Sequence, residues 1–248
     1  MFRKIDPRWA VVGLALVAAS CDKKDADKAA SPSAPVAAVP PPAGTEWTEV
    51  VSETPEGGIR MGNPDAPVKL VEYGSLTCPH CAAFSKEATE PLKNEFVKTG
   101  KVSWEFRNFL LQPVDVSVSV LAHCQGPGPF FKLIEQIYAE QQNWGAKFQD
   151  ISDAEQKRIQ ALPDQARVAA IAKAGHLDDF FRARGLPESK IDACLADKGA
   201  VDKLVKIRQQ AVEDGVDGTP SFFINGAKAD GVYDWASLEP KLRAATGG

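Results

Sequence analysis

Two cysteines separated by a proline and a histidine, Cys78-Pro79-His80-Cys81, are the residues of this 248-residue chain best suited to chemistry. Two intervening residues let a pair of sulfurs meet across the first turn of a helix, so the pair can pass between dithiol and disulfide with little backbone movement. If a helix starts at Pro79, its unpaired N–H groups and the positive end of its dipole favour a thiolate, above all at Cys78. Each unit by which a thiol pKa falls stabilises the reduced pair by about 1.4 kcal/mol and makes the disulfide more oxidising. By position, Cys78 is expected to be the exposed sulfur that bonds to a client, and Cys81 the shielded one that resolves the bond. His80 assists if suitably oriented; otherwise it is an ordinary solvated loop residue. Glu72 precedes the pair in an apolar run, where a glutamate can point outward or pair with a lysine.

The elements that must hold this pair are legible as changes of period. Val68-Lys69-Leu70-Val71-Glu72-Tyr73 follows the turn Asn63-Pro64-Asp65-Ala66-Pro67 and reads as a buried strand. Phe84, Ala88, Leu92 and Phe96 recur every four residues after Pro79, which predicts a helix with a kink or break at Pro91. Lys101 to Phe109 alternates as a strand, and from about 113 to 211 the period is helical. Ser221-Phe222-Phe223-Ile224 is strand-like and meets the turn Asn225-Gly226, with a return strand expected near Gly231 to Tyr233 and a last helix capped by Asp234. The order is βαβ, a helical block, then ββα.

Composition bounds the rest. With 44% hydrophobic and 25% charged residues, one globular domain of good size is expected, and a net charge of −4 gives no basic field for nucleic acid. Arg3, Lys4 and Arg8 followed by the apolar run Trp9 to Ala19 read as an export signal over 1–20, because the run is too short to span a bilayer. Val17-Ala18-Ala19-Ser20-Cys21 resembles a bacterial lipobox, in which the cysteine becomes the lipidated first residue, with Ala18 standing where leucine is usual. Asp22 resembles the signal that retains a lipoprotein at the inner membrane; the alternative is an ordinary signal cut near the same place. Residues 21–46, rich in Lys, Ala, Ser and Pro, are expected to be a disordered tether, and the folded domain to cover 47–248.

Either reading of the start places the domain in an oxidising compartment. Cys124 and Cys194 are then expected to form a structural disulfide closing a loop of about 70 residues, the alternative being two separate buried thiols. A zinc site of Cys78, Cys81, Cys124 and Cys194 is disfavoured because the last two lack a short paired spacing. Covalent haem needs a histidine where Ala82 stands. No metal or cofactor is therefore expected, and His123 and His176 read as packing or surface residues.

The segment Glu72-Tyr73-Gly74-Ser75-Leu76-Thr77-Cys78-Pro79-His80-Cys81 resembles the active-site segment of the DsbA family of thiol-disulfide oxidoreductases, and Gly218-Thr219-Pro220 resembles that superfamily's cis-proline loop. The resemblance covers about residues 60 to 246. It implies an α/β thioredoxin fold with a helical insertion between the βαβ and ββα halves. It also implies catalysis by Cys78 and Cys81 with Pro79 and His80 between them, assistance from Glu72 as a proton carrier, and substrate binding at Thr219 and Pro220. The implied partners are exported proteins with free thiols or disulfides and a membrane redox partner of DsbB type. The Pro-His dipeptide points to an oxidase, whereas Thr219 resembles the isomerase branch. A peptide-binding chaperone without turnover is the reading of a different class.

Overall fold

The computed structural model describes residues 36–247. The expected signal peptide over 1–20, Cys21 and the first part of the tether lie outside them. Within the described residues, the stretch from Val36 to Glu46, expected to be part of a disordered tether, already makes contacts with the folded domain. The Val36 and Val39 N–H groups donate to Thr246 O and Thr99 O, both at 3.0 Å, and the Trp47 indole donates to Val39 O at 2.7 Å. The Pro-rich composition permits this, since an extended segment poor in N–H groups leaves few donors to satisfy when it lies against a folded surface.

A six-stranded sheet forms the centre, in the order β1-β2-β4-β3-β5-β6. Strands β1 (Val51–Glu53) and β2 (Ile59–Met61) form an antiparallel hairpin on the outer side of β4 (Val102–Asn108). The middle strand β3 (Val68–Gly74) runs parallel to β4 and antiparallel to β5 (Ser221–Ile224). Being central, both β3 and β4 are covered on two faces, so Ser103, Glu105 and Glu72 are buried along with their apolar neighbours.

The return strand β6 is Ala227–Lys228, not Gly231 to Tyr233. Asn225 and Gly226 both take positive φ, +51° and +81°, which is the geometry of a two-residue hairpin turn, so pairing resumes at once.

Helix α1 (Pro79–Pro91) follows β3 and does not break at Pro91. It widens into a π-helical stretch over Leu92–Val97, with the Lys98 N–H reaching Lys93 O at 2.8 Å. A proline cannot donate to the carbonyl four residues back and its ring displaces that carbonyl, and the wider turn absorbs the misfit. Between β4 and β5 the chain makes eight helices: α2 (Pro113–His123), α3 (Phe130–Ala139), α4 (Gln141–Ala146), α5 (Asp153–Gln160), α6 (Asp164–Ala174), α7 (Leu177–Arg182), α8 (Glu188–Leu195) and α9 (Lys198–Glu213). The last helix, α10 (Trp235–Thr246), starts where the Asp234 carboxylate accepts the Ser237 N–H at 2.9 Å.

Aromatic contacts lock these layers together. Phe84 of α1 meets Phe222 of β5 at 4.7 Å between ring centres, and Phe131 of α3 meets Trp104 of β4 at 4.6 Å. Gly74, at the end of β3, is required by close approach: a Cβ there would lie 2.5 Å from the Phe106 ring. The chain is thus an α/β thioredoxin fold with its helical insertion between the βαβ and ββα halves. Among the described residues, no helix is long and apolar enough to cross a membrane.

Candidate active site

At Cys78 the chain leaves the turn after β3 in extended conformation, and α1 begins at the next residue, where a proline costs nothing because its missing N–H would have no helical partner. Cys78 and Cys81 are both free thiols. Neither faces open solvent: Cys78 is 5% exposed and Cys81 0%, so the expectation of an exposed Cys78 is corrected. The cover is the Gly218-Thr219-Pro220 loop, whose Thr219–Pro220 peptide bond is cis and whose Thr219 carbonyl lies 3.3 Å from the Cys78 sulfur. Pro79 and His80 are exposed beside them.

The two sulfurs differ chemically. The Cys78 pKa falls from 9.0 to about 5, chiefly through the hydrogen bond from the Cys81 thiol; burial opposes this, and the backbone N–H groups of Cys81 and His80 add to it. Cys81 moves the other way, well above 9.0, because it is buried, because its proton is shared with Cys78, and because negative charge on Cys78 and Glu72 disfavours a second thiolate.

Glu72 is buried at 1% exposure and accepts a hydrogen bond from the Trp104 indole at 3.0 Å. Burial raises its pKa from 4.5 to about 8, and the indole offsets this only in part. The unfolded chain ionises Glu72 near 4.5, whereas the folded chain keeps the proton until about 8. The stability this contributes is complete below the lower value and is lost as pH rises through the upper one. Glu72→Gln stays neutral and retains an acceptor for Trp104, so it should remove that loss. Urea denaturation of the oxidised protein, in which the pair does not titrate, is expected to show wild type weakening from pH 5 to 9 and the variant much less; parallel profiles would contradict the assignment.

The insertion contributes residues that sequence reasoning missed. Tyr138 donates to Ser75 O at 3.1 Å, and Gln141 Nε2 donates to Leu76 O at 2.9 Å and Cys78 O at 3.0 Å. Asp115, fully buried in the first turn of α2, accepts hydrogen bonds from Ser75 and Thr77. These contacts join residues about 40 to 65 positions apart, so no local pattern signals them. A groove of about 790 Å³ opens from Pro79 along α1, past Lys86 and Glu90, with Tyr138 and Gln141 on its far wall.

Cys124 and Cys194 are disulfide-bonded with Cα atoms 5.9 Å apart, joining the end of α2 to α8 away from the motif. His123 is half-buried, bonds to Asn108 Oδ1 at 2.7 Å and has its pKa lowered to about 4, chiefly by desolvation of its ring; His176 is exposed and pairs with Asp179.

The thioredoxin family model matches residues 54–243. The chain belongs to the thioredoxin family. Within that family it is similar to the crystal structure of a protein-disulfide isomerase from Novosphingobium aromaticivorans, with 36% identity, 76% of this chain and 97% of that one covered, and a TM-score of 0.73. The fold is shared with alpha-DsbA1 of Wolbachia pipientis, at 22% identity, 81% and 96% coverage and a TM-score of 0.62. A relative in Rickettsia bellii, provisionally named a protein-disulfide oxidoreductase, is 26% identical over 186 residues, covering 73% of this chain and 62% of that relative. This thioredoxin-family chain spans about three fifths of the length of the first curated relatives it matches.

Proposed function

We propose that this protein is a thiol-disulfide oxidoreductase that introduces disulfides into exported proteins. The observation that carries the reading is the placement of the pair: Cys78 at the start of α1 with its sulfur 3.3 Å from the Thr219 carbonyl of the cis-proline loop, and Cys81 fully buried behind it. This placement sets the Cys78 pKa low, at about 5, and that of Cys81 well above 9. In the oxidised enzyme a client thiolate attacks the Cys78 sulfur; the Cys78–Cys81 bond breaks and Cys81 leaves, taking up a proton for which buried Glu72 is the nearby carrier. A second client thiol then attacks the client sulfur of the mixed disulfide and releases Cys78 as a thiolate. The client has lost two electrons and two protons, and the enzyme pair holds the electrons until a membrane oxidant of DsbB type removes them. Thr219 and Pro220 present backbone to the client beside the reacting sulfur.

Oxidation is favoured because a stable Cys78 thiolate stabilises the reduced pair and so makes its disulfide a better oxidant. That stabilisation is present above the unfolded thiol value of 9.0 and is lost as pH falls through about 5. The reduced protein should therefore melt above the oxidised protein at pH 7, with the gap closing towards pH 5. Isomerase activity is the second reading, supported by Thr219 and by the protein-disulfide isomerase relative. Equilibration of Cys78 and Cys81 with glutathione decides between them: a pair more reducing than glutathione, together with no oxidation of a dithiol peptide, would exclude the oxidase.

The proposed site of action is the periplasm, with lipidated Cys21, which lies outside the described residues, tethering the domain to the inner membrane. One acyl chain holds only marginally, whereas the several chains of a lipoprotein anchor firmly. Cys21→Ser is expected to move the protein from the membrane fraction to the soluble periplasm. Wild-type protein that is already soluble and carries no lipid by intact mass would remove the anchor.

A further inference from the structure

Asp115 gathers five hydrogen bonds on one buried carboxylate. Oδ1 accepts from Ser75 Oγ at 2.9 Å and from the Thr77 N–H at 3.1 Å; Oδ2 accepts from Thr77 Oγ1 and from the N–H groups of Leu111 and Gln112, all at 2.9 Å. Its own residue is 0% exposed. The bonds to Leu111 and Gln112 are those of a helix cap, since Asp115 closes a capping box at the start of α2. The other three serve a different element: they go to the turn that carries the chain from β3 into Cys78. The same turn sets the cysteine, because the Cys78 N–H donates to Ser75 O at 3.1 Å.

We propose that Asp115 is a positioning residue for the Cys78 sulfur: from the insertion, its carboxylate fixes the Ser75 to Thr77 turn and so aims Cys78 at the N–H groups that open α1. This rests on the oxidoreductase reading and adds to it a residue that touches neither sulfur. A cap alone needs no contact with the turn, whereas the turn, with Ser75 fully buried and Thr77 half-buried, needs an acceptor from the protein for its donors. Burying a carboxylate to hold it is costly unless the oxygens are fully bonded, and here they are. An amide cannot take its place. Whichever oxygen became an NH2 group would confront a backbone N–H, from Thr77 on one side or from Leu111 and Gln112 on the other.

Charged and titratable groups around the turn are Glu72, Cys81 and Tyr138, which both variants leave in place, and Asp115 itself. Losing a negative charge there would by itself lower the Cys78 midpoint, so a rise in Asp115→Asn cannot come from the charge change. Thiolate absorbance of the reduced protein is titrated against pH for wild type, Asp115→Asn and Ser75→Ala/Thr77→Val, with thermal melting alongside. The double variant keeps the α2 cap bonds to Leu111 and Gln112, so it covers the case in which Asp115→Asn fails to fold. Positioning predicts that the Cys78 midpoint rises by about one unit or more in each folded variant, or roughly tenfold less thiolate at a pH below both midpoints. A purely structural role predicts lower melting temperatures with the midpoint unmoved, and that result in both variants would overturn the proposal. A wild-type midpoint near 9 would instead overturn the oxidoreductase reading from which it starts.

Discussion

Cys81→Ala is expected to accumulate long-lived mixed disulfides with client proteins through Cys78, whereas Cys78→Ala is expected to trap almost none; both lose turnover entirely. The difference follows from the two sulfurs' environments. Cys78 lies against the cis-proline loop, and its thiolate is stable enough to be displaced readily; Cys81 is sealed in the core and holds its proton. In the Cys81→Ala variant the Cys78 thiolate attacks a client disulfide, joining one client sulfur and expelling the other as a thiolate. With Cys81 gone no enzyme thiol can attack Cys78 to release it, so the mixed species persists until a client thiol attacks it. Iodoacetamide at pH 6 gives the same answer without mutation, since the alkylation rate follows the thiolate fraction. Mass spectrometry of the reduced protein should find Cys78 modified well before Cys81. Equal labelling of the two thiols, with equal trapping by the two variants, would remove the distinction.

Replacing both Cys124 and Cys194 by alanine should destabilise the fold by ~4 kcal/mol on the chain-entropy estimate for a closed loop of this length, while leaving the potential of the active pair nearly unchanged. The bond joins α2 to α8 within the insertion, so its loss frees the unfolded chain more than it disturbs β3, α1 or the cis-proline loop. Denaturant unfolding reads the first quantity and equilibration with glutathione the second. A variant of full stability whose oxidase activity is gone would make the pair part of a disulfide relay instead.

Features carried by local patterns are the ones that could be read from sequence. Strand β3, the start of α1 at Pro79, the alternation of β4 and the Asp234 cap each depend on residues within a few positions of one another. The β1–β2 hairpin was not legible, because Val51–Glu53 and Ile59–Met61 are too short to establish a period. The extent of the ordered N-terminal segment was missed for another reason: Val36 to Gly44 offers little to bury, and its order comes from backbone acceptors at Thr99 and Thr246 that no composition reveals. The motif identified the sulfurs, yet the groups that hold its turn, Asp115, Tyr138 and Gln141, reach it only through the tertiary fold. Asp115 carries a sequence signal of its own, following a proline at a helix start, but that signal predicts capping and says nothing of Ser75 or Thr77.

The two outermost strands of the sheet are three and two residues long, β1 at one side and β6 at the other. A protein proposed to handle unfolded clients meets extended chains in quantity, and any long unpaired strand would invite them to add to the sheet. Edges this short offer almost no template for such growth, which works against co-aggregation with the extended chains a protein of this kind would meet.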